Sequence, residues 1–318
     1  MTGKLISGKR ELPLTQVAER VARAASAFAS IGIGRGDGVG LMLRNDFAFF
    51  EAGMAAGMLG AYSVPVNWHF TADEAGYIIR DSGVKAVIVH TDLLETALKA
   101  TPQGVPVLAV DTPPEIAAAY QLSAADCEVR AGCKVWDAWI ESFPPHVPSI
   151  QDPPGAIIYT SGTTGRPKGV KRNPPTPAQA LATTKLIGRA FGVDDILVGG
   201  KAERIVTVVT GPMYHSAPNA YGAFAVRAGA DVILQPRFEP EELLQLIERH
   251  RVTHLHMVPT MFVRLLKLPE DVRRKYDLSS LKFVVHAAAP CPIDIKREVL
   301  ILFDLLLVVV VGLVLYSA

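Results

Sequence analysis

The chain has 318 residues, 49% of them hydrophobic and 20% charged, with 32 Lys and Arg against 31 Asp and Glu for a net charge of +1. This balance supplies core for about two domains and excludes disorder for the bulk of the chain. It also argues against a nucleic-acid binder, which would carry a basic excess to meet phosphates. The three cysteines, Cys127, Cys133 and Cys291, have no C-x-x-C spacing; this argues against a disulfide framework or zinc site and suits a reducing, cytoplasmic setting. Residues 1–13 include basic side chains but lack the apolar run of a secretory signal.

In chain order, Thr15 is placed to N-cap a helix whose apolar residues Val17, Val21, Ala24, Ala25 and Phe28 recur at three- and four-residue spacing. The glycine-rich run 32–38 ends it and turns the chain into a strand, 39–43. That run is not a dinucleotide fingerprint: Asp37, Val39 or Leu41 falls where the last glycine belongs, and a strand rather than a helix follows. A helix is predicted over 46–59 and a short strand over 62–66. Thr71 and Glu74 then form a capping box that opens a helix to about residue 81. Strands follow at 85–90 and 105–110. The Pro-rich stretch 111–154 reads as surface chain, with Trp136 and Trp139 on a short helix and packing into the core. Beyond it, strands are predicted at 156–159, 205–209, 231–234, 254–257 and 282–285, and helices at about 177–191, 240–250 and 260–268. Residues 273–275, Arg-Arg-Lys, read as a solvated loop. Alternating strands and helices imply an α/β chain with mainly parallel sheets covered by helices, and ligands beyond the carboxyl ends of strands. Two αβα subdomains are expected, 1–151 and 152–302, followed by an apolar tail, 303–318.

The most informative segment runs from Ile157 to Val170: an apolar strand, then Thr160-Ser161-Gly162-Thr163-Thr164-Gly165-Arg166-Pro167-Lys168-Gly169. Glycines let the backbone turn tightly and approach a ligand, while successive N–H groups, hydroxyls and the Lys168 ammonium suit phosphate oxygens. It is not a Walker loop, because Pro167 stands where the second glycine would be. The physical reading is a loop that grips the phosphates of a nucleotide. His254 and His256 share one face of a strand, a spacing that can bind metal, but no third ligand is evident and packing is the better account. Cys291 reads as structural. His215, on its residue type alone, reads as a histidine that caps or packs within a buried turn rather than as a site residue.

The string from Tyr159 to Val170 resembles the phosphate-loop signature of the adenylate-forming superfamily, which includes acyl-CoA synthetases, luciferases and peptide-synthetase adenylation domains. Four further segments resemble motifs of its acyl-CoA synthetase branch: 62–71, 211–217 (Gly-Pro-Met-Tyr-His-Ser-Ala), 254–260 and 285–292. Together they cover roughly residues 12–300. The resemblance implies a chain equivalent to most of the large N-terminal domain of such a synthetase. It also implies a two-step reaction with ATP and Mg²⁺, in which a fatty or aromatic carboxylic acid becomes an acyl-adenylate and then a thioester of coenzyme A. It further implies phosphate contacts from Thr160, Ser161, Gly162, Thr163, Thr164, Gly165 and Lys168, adenine contacts from Ala288, Ala289 and Pro290, and an acyl pocket with Tyr214, His215, Met257 and Pro259. His215 would orient the carboxylate or shield its charge. No metal ligand is assigned.

The resemblance stops near residue 300. Family members continue with a Tyr-Gly-x-Thr-Glu-type motif that helps hold Mg²⁺, a ribose-binding Asp and a small lysine-bearing C-terminal lid domain, and none is found here. The expectation for residues 303–318 is an out-of-frame or truncated end, leaving ATP binding weak and ligase activity low or absent. A non-catalytic nucleotide- or acyl-binding remnant is the alternative. Two other readings of the tail stay open. One is a genuine buried strand ending an unusually short homologue. The other is a membrane anchor over 299–316, whose eighteen residues would span about 27 Å as a helix, with Asp304 costly inside.

Overall fold

The computed structural model describes residues 3–130, 132–147, 156–160, 167–170, 204–286, 289–303 and 308–310, with a few positions between 176 and 188. The chain divides into two compact units: Thr15–Pro174 with Met213–Ser216, and Met1–Leu14 with Pro175–Pro212 and Ala217–Ala318. The division therefore differs from a simple split at residue 151. The first fourteen residues belong with the C-terminal part, and four residues near 214 belong with the N-terminal part.

The strands are β1 (Lys4–Ser7), β2 (Arg10–Pro13), β3 (Gly38–Met42), β4 (Tyr62–Pro65), β5 (Val84–His90), β6 (Val107–Val110), β7 (Lys134–Val135), β8 (Ile158–Thr160), β9 (Lys168–Val170), β10 (Val206–Val209), β11 (Asp231–Leu234), β12 (His254–Met257), β13 (Phe283–His286) and β14 (Val308–Val310). In the unit built on residues 15–174, a five-stranded parallel sheet has the order β4-β3-β5-β6-β7. Helix α1 (Leu14–Ser30) leads into β3, and α2 (Phe47–Met58) and α3 (Ala72–Asp81) come from the sheet's connections.

The predicted apolar stripe of α1 is buried, with Val17, Val21, Ala24, Ala25 and Phe28 all 3% exposed or less. Its start differs from expectation. Leu14 donates its N–H to the Gly3 carbonyl at 2.9 Å, so the helix begins there and Thr15 stands inside the first turn instead of capping it. Gly32 adopts φ +79° just past the helix, and Ile33 donates back to the Phe28 carbonyl at 3.1 Å. This is a glycine C-cap, and it accounts for the run as a turn. The Thr71–Glu74 capping box is present, with Thr71 N–H donating to Glu74 Oε2 at 2.8 Å and Glu74 N–H to Thr71 Oγ1 at 3.4 Å.

The stretch 111–154 holds more structure than its composition suggests, with helices α4 (Leu94–Ala100) before it and α5 (Pro114–Tyr120) and α6 (Trp136–Glu141) within it. Trp136 is the reason for the last. It is buried against Phe28, ring centroids 5.7 Å apart, and its Nε1 donates to Glu51 Oε2 at 2.9 Å. Arg20 Nε also donates to the buried Glu51 carboxylate, at 2.6 Å. A charge that leaves water needs such partners.

In the other unit a seven-stranded sheet has the order β14-β13-β12-β10-β11-β1-β2, parallel except for the β1–β2 hairpin. Its helices among the described elements are α7 (Ser216–Arg227), α8 (Pro240–His250), α9 (Pro259–Leu266), α10 (Glu270–Arg273) and α11 (Ile293–Phe303). The core is apolar, built on Val208, Ile233, Leu243, Leu244, Leu255 and Phe262; each such side chain contributes about 1.5–3 kcal/mol when fully buried. Arg274 and Lys275 of the Arg-Arg-Lys cluster are exposed as predicted, whereas Arg273 closes α10 half-buried with its Nε shielded from solvent. Within the apolar tail, Val308–Val310 forms the edge strand β14, paired with β13 in the register Val284↔Val308. Among the described residues no helix is long and apolar enough to cross a membrane.

Candidate functional site

The glycine- and hydroxyl-rich loop is described at its two ends. Thr160 closes β8 and Lys168 opens β9. These strands pair antiparallel in the register Ile158↔Val170, Tyr159↔Gly169 and Thr160↔Lys168. The pairing ends the loop earlier than the sequence suggests, since Lys168–Val170 is strand. Ser161, Gly162, Thr163, Thr164 and Gly165 lie outside the described residues. Lys168 is exposed. Tyr159 anchors the base of the pair: its hydroxyl donates to Asp81 Oδ2 at 2.6 Å, and burial followed by that carboxylate raises its pKa. The ring lies so close over Gly169 that a Cβ there would stand 2.6 Å from Cζ. Glycine is needed at 169 to let the tyrosine lie flat.

The second group of predicted residues sits at the carboxyl end of the five-stranded sheet. In the order β4-β3-β5-β6-β7 the chain runs outward from β3 to β4 and then crosses to β5, so the crevice beyond β3 and β5 is the topological switch point where α/β sheets take ligands. The residues following β3 are Leu43, Arg44, Asn45 and Asp46, and β5 ends at His90. Arg44 Nη2 donates to Asp92 Oδ2 at 2.6 Å, and Arg44 N–H donates to His90 Nδ1 at 3.0 Å. His90 Nε2 lies 3.2 Å from Asp46 Oδ2. The Arg44 guanidinium stacks 3.6 Å from the Tyr120 ring centroid and 5.6 Å from that of Trp68.

Met213–Ser216 belongs to this unit. Met213 donates its N–H to Asn45 Oδ1 at 2.9 Å, both residues buried. Tyr214 meets Trp68 edge-on with centroids 4.6 Å apart, and the His215 ring lies 4.4 Å from that of Tyr214. Burial, then Tyr120, raises the Tyr214 pKa. His215 has an exposed face, yet the protein packed against its other side desolvates it and lowers its pKa, which favours the neutral imidazole at pH 7. A neutral histidine can donate one hydrogen bond and accept another.

The remaining predicted residues lie in the other unit. Met257 ends β12 wholly buried in the apolar core, and Pro259 starts α9. Ala289 and Pro290 are exposed just past β13, and Ala288 lies outside the described residues. His254 and His256 are buried; His254 Nδ1 lies 2.8 Å from Thr253 Oγ1, and the His256 ring packs 5.3 Å from Tyr221. Cys291 packs half-buried on the core, where burial raises its thiol pKa. Among the described residues no group of three or more His, Cys, Asp or Glu could hold a metal ion. A cavity of about 490 Å³ lined by Arg273, Arg274, Tyr276, Glu298 and Phe303 includes none of the predicted site residues.

Sequence reading passed over Arg44, Asn45, Asp46, His90 and Asp92. The signal that could have found them is position: each follows or ends a strand at its carboxyl end.

A family model described as AMP-binding enzyme matches residues 4–313. The chain belongs to the family of AMP-binding enzymes. The match runs on into the apolar tail, past residue 300 where the motif resemblance stops. The chain is 31% identical over 270 residues to 4-coumarate–CoA ligase 3 of Arabidopsis thaliana, covering 84% of this chain and 44% of that protein. It is 30% identical over 296 residues to a feruloyl-CoA synthase of an Amycolatopsis species, covering 92% and 52%. The chain thus spans about half the length of these curated relatives. Its fold superimposes with a TM-score of 0.77 on the anthranilate CoA ligase AuaEII, crystallised with anthranoyl-AMP, covering 98% of this chain and 56% of that one at 22% identity. This AMP-binding chain therefore has the mixed α/β architecture, mainly of parallel sheets, expected from its sequence.

Proposed function

We propose that this AMP-binding chain takes part in ATP-dependent activation of a carboxylic acid and its transfer to coenzyme A. In the first step a carboxylate oxygen bonds to the α-phosphorus of ATP as the bond to pyrophosphate breaks, giving an acyl-adenylate. In the second a thiol takes the acyl group and AMP leaves. The observation that carries the reading is the β8–β9 pairing, which brings together the two ends of the loop from Thr160 to Lys168. A segment rich in glycines and hydroxyl side chains between paired ends, with a lysine at its exit, suits the β- and γ-phosphates. Mg²⁺ would enter with ATP, neutralising phosphate charge. His215, favoured in its neutral form, would orient the acid without fixing a charge beside the nucleotide. The two named relatives act by their names on aromatic acids, which supports an aromatic substrate over a fatty one.

The test is calorimetric titration of the full chain with Mg-ATP, followed by ATP–pyrophosphate exchange with hydroxycinnamic, benzoic and fatty acids. Exchange with an aromatic acid supports the reading. ATP binding without exchange would select a nucleotide-binding chain that does not catalyse, and failure to bind ATP would overturn the nucleotide assignment.

A further inference from the structure

Four residues far along the chain, Met213–Ser216, occupy the carboxyl-end region of the five-stranded sheet, and side chains that follow its strands hold them there. Asn45, three residues past β3, takes the Met213 N–H on its amide oxygen at 2.9 Å. Trp68, three residues past β4, meets the Tyr214 ring edge-on at 4.6 Å, and Tyr214 in turn flanks His215 at 4.4 Å. Trp68 is itself fixed: it is 6% exposed, and the Arg44 guanidinium, tied to Asp92, lies 5.6 Å from its ring centroid. Its indole Nε1 is buried and has no hydrogen-bond partner among the described residues. The ring is thus retained for shape and contact, at the cost of an orphaned donor.

We propose that Asn45 and Trp68 are positioning residues that set Tyr214 and His215 in place for the acyl group. Neither is assigned to touch substrate. Asn45 fixes the backbone where the segment begins, and Trp68 fixes the ring next to the histidine. The pair constrains two successive residues from opposite ends, which is how a side chain on a loop acquires the precision of one on a strand. The proposal rests on His215 meeting the acyl carboxylate, as the proposed function has it. The placement of the segment, however, can be read without any turnover.

The experiment follows the His215 ring by NMR in the full chain labelled with isotopic histidine, whose eight histidines are assigned by substitution. In the parent protein the His215 pKa lies below the ordinary 6.5, because packing desolvates it. Asn45→Ala and Trp68→Ala release the segment, and the His215 pKa moves back up toward 6.5. Trp68→Phe keeps an aromatic edge against Tyr214 and loses no hydrogen bond, so it leaves the pKa at the parent value. In exchange assays the two alanine variants lower kcat/KM for the acid about tenfold or more and leave KM for ATP unchanged. Asn45→Ser serves if Asn45→Ala does not fold. A fall in melting temperature with an unmoved His215 pKa in Asn45→Ala or its serine substitute would overturn the proposal, since that is the mark of a purely structural side chain. So would an unmoved pKa in Trp68→Ala. If no acid supports exchange in the parent protein, the functional reading fails, while the pKa comparison still decides whether Asn45 and Trp68 position His215.

Discussion

The buried imidazole of His256 makes acid instability a measurable property of this fold. His256 is 4% exposed on β12, its Nε2 has no hydrogen-bond partner among the described residues, and burial, with a smaller contribution from His286, lowers its pKa from 6.5 to about 4. The unfolded chain takes up a proton near the ordinary value, whereas the folded chain refuses it until about pH 4. Between those values the unfolded state binds more protons, so stability is intact above pH 6.5 and is lost as pH falls toward 4. The linkage amounts to about 2 kcal/mol at pH 5 and about 3 kcal/mol once both states are protonated. His256→Phe removes the titration while keeping a ring against Tyr221. Urea unfolding of parent and variant at pH 7.5 and pH 5 isolates the effect, because every other titrating group is common to both. The parent should lose about 2 kcal/mol more than the variant on acidification. Equal losses in the two proteins would show that His256 is not held neutral by burial, and the reasoning would be wrong.

Gly169→Ala places a Cβ inside the Tyr159 ring; it should cost about 1–3 kcal/mol and weaken ATP binding in calorimetry, and Tyr159→Ala in the same chain should relieve it by removing the obstruction. Glu51→Ala strips Arg20 and Trp136 of a shared buried acceptor; a loss of about 3–5 kcal/mol is expected in urea unfolding, and Glu51→Gln, which keeps an acceptor, should cost less. Thr71→Ala opens the capping box of α3 and should lower the melting temperature of the unit containing it by about 2–4 °C by calorimetry.

What the sequence made readable was local. The strands 231–234 and 254–257 and the helix 240–250 stand where their patterns place them, because each is a short apolar run or an amphipathic stripe between punctuating residues. The capping box needed only a Thr and a Glu at fixed spacing. The helix Ser216–Arg227 escaped, since Pro218 and Gly222 interrupt its pattern and its burial comes from tertiary packing. The β1–β2 hairpin escaped because its partner, β11, lies more than 220 residues away. The segment from Thr160 to Gly169 was legible as a candidate phosphate site, since its hydroxyls, glycines and lysine stand together in one string. The Asn45–Met213 contact was not. It joins residues 168 positions apart, and nothing in either neighbourhood announces the other.

The placement of β1 and β2 has a consequence for synthesis. β1 leaves the ribosome well before the strand it must lie beside, which is 227 residues downstream. At about 5–20 residues per second the hairpin waits roughly 10–45 s with one edge unpaired. Meanwhile the whole of the unit from Thr15 to Pro174 can emerge and fold. Residues made early are therefore among the last to find their place, and a deletion of β1 would act on the completion of the second sheet, late in the chain's assembly.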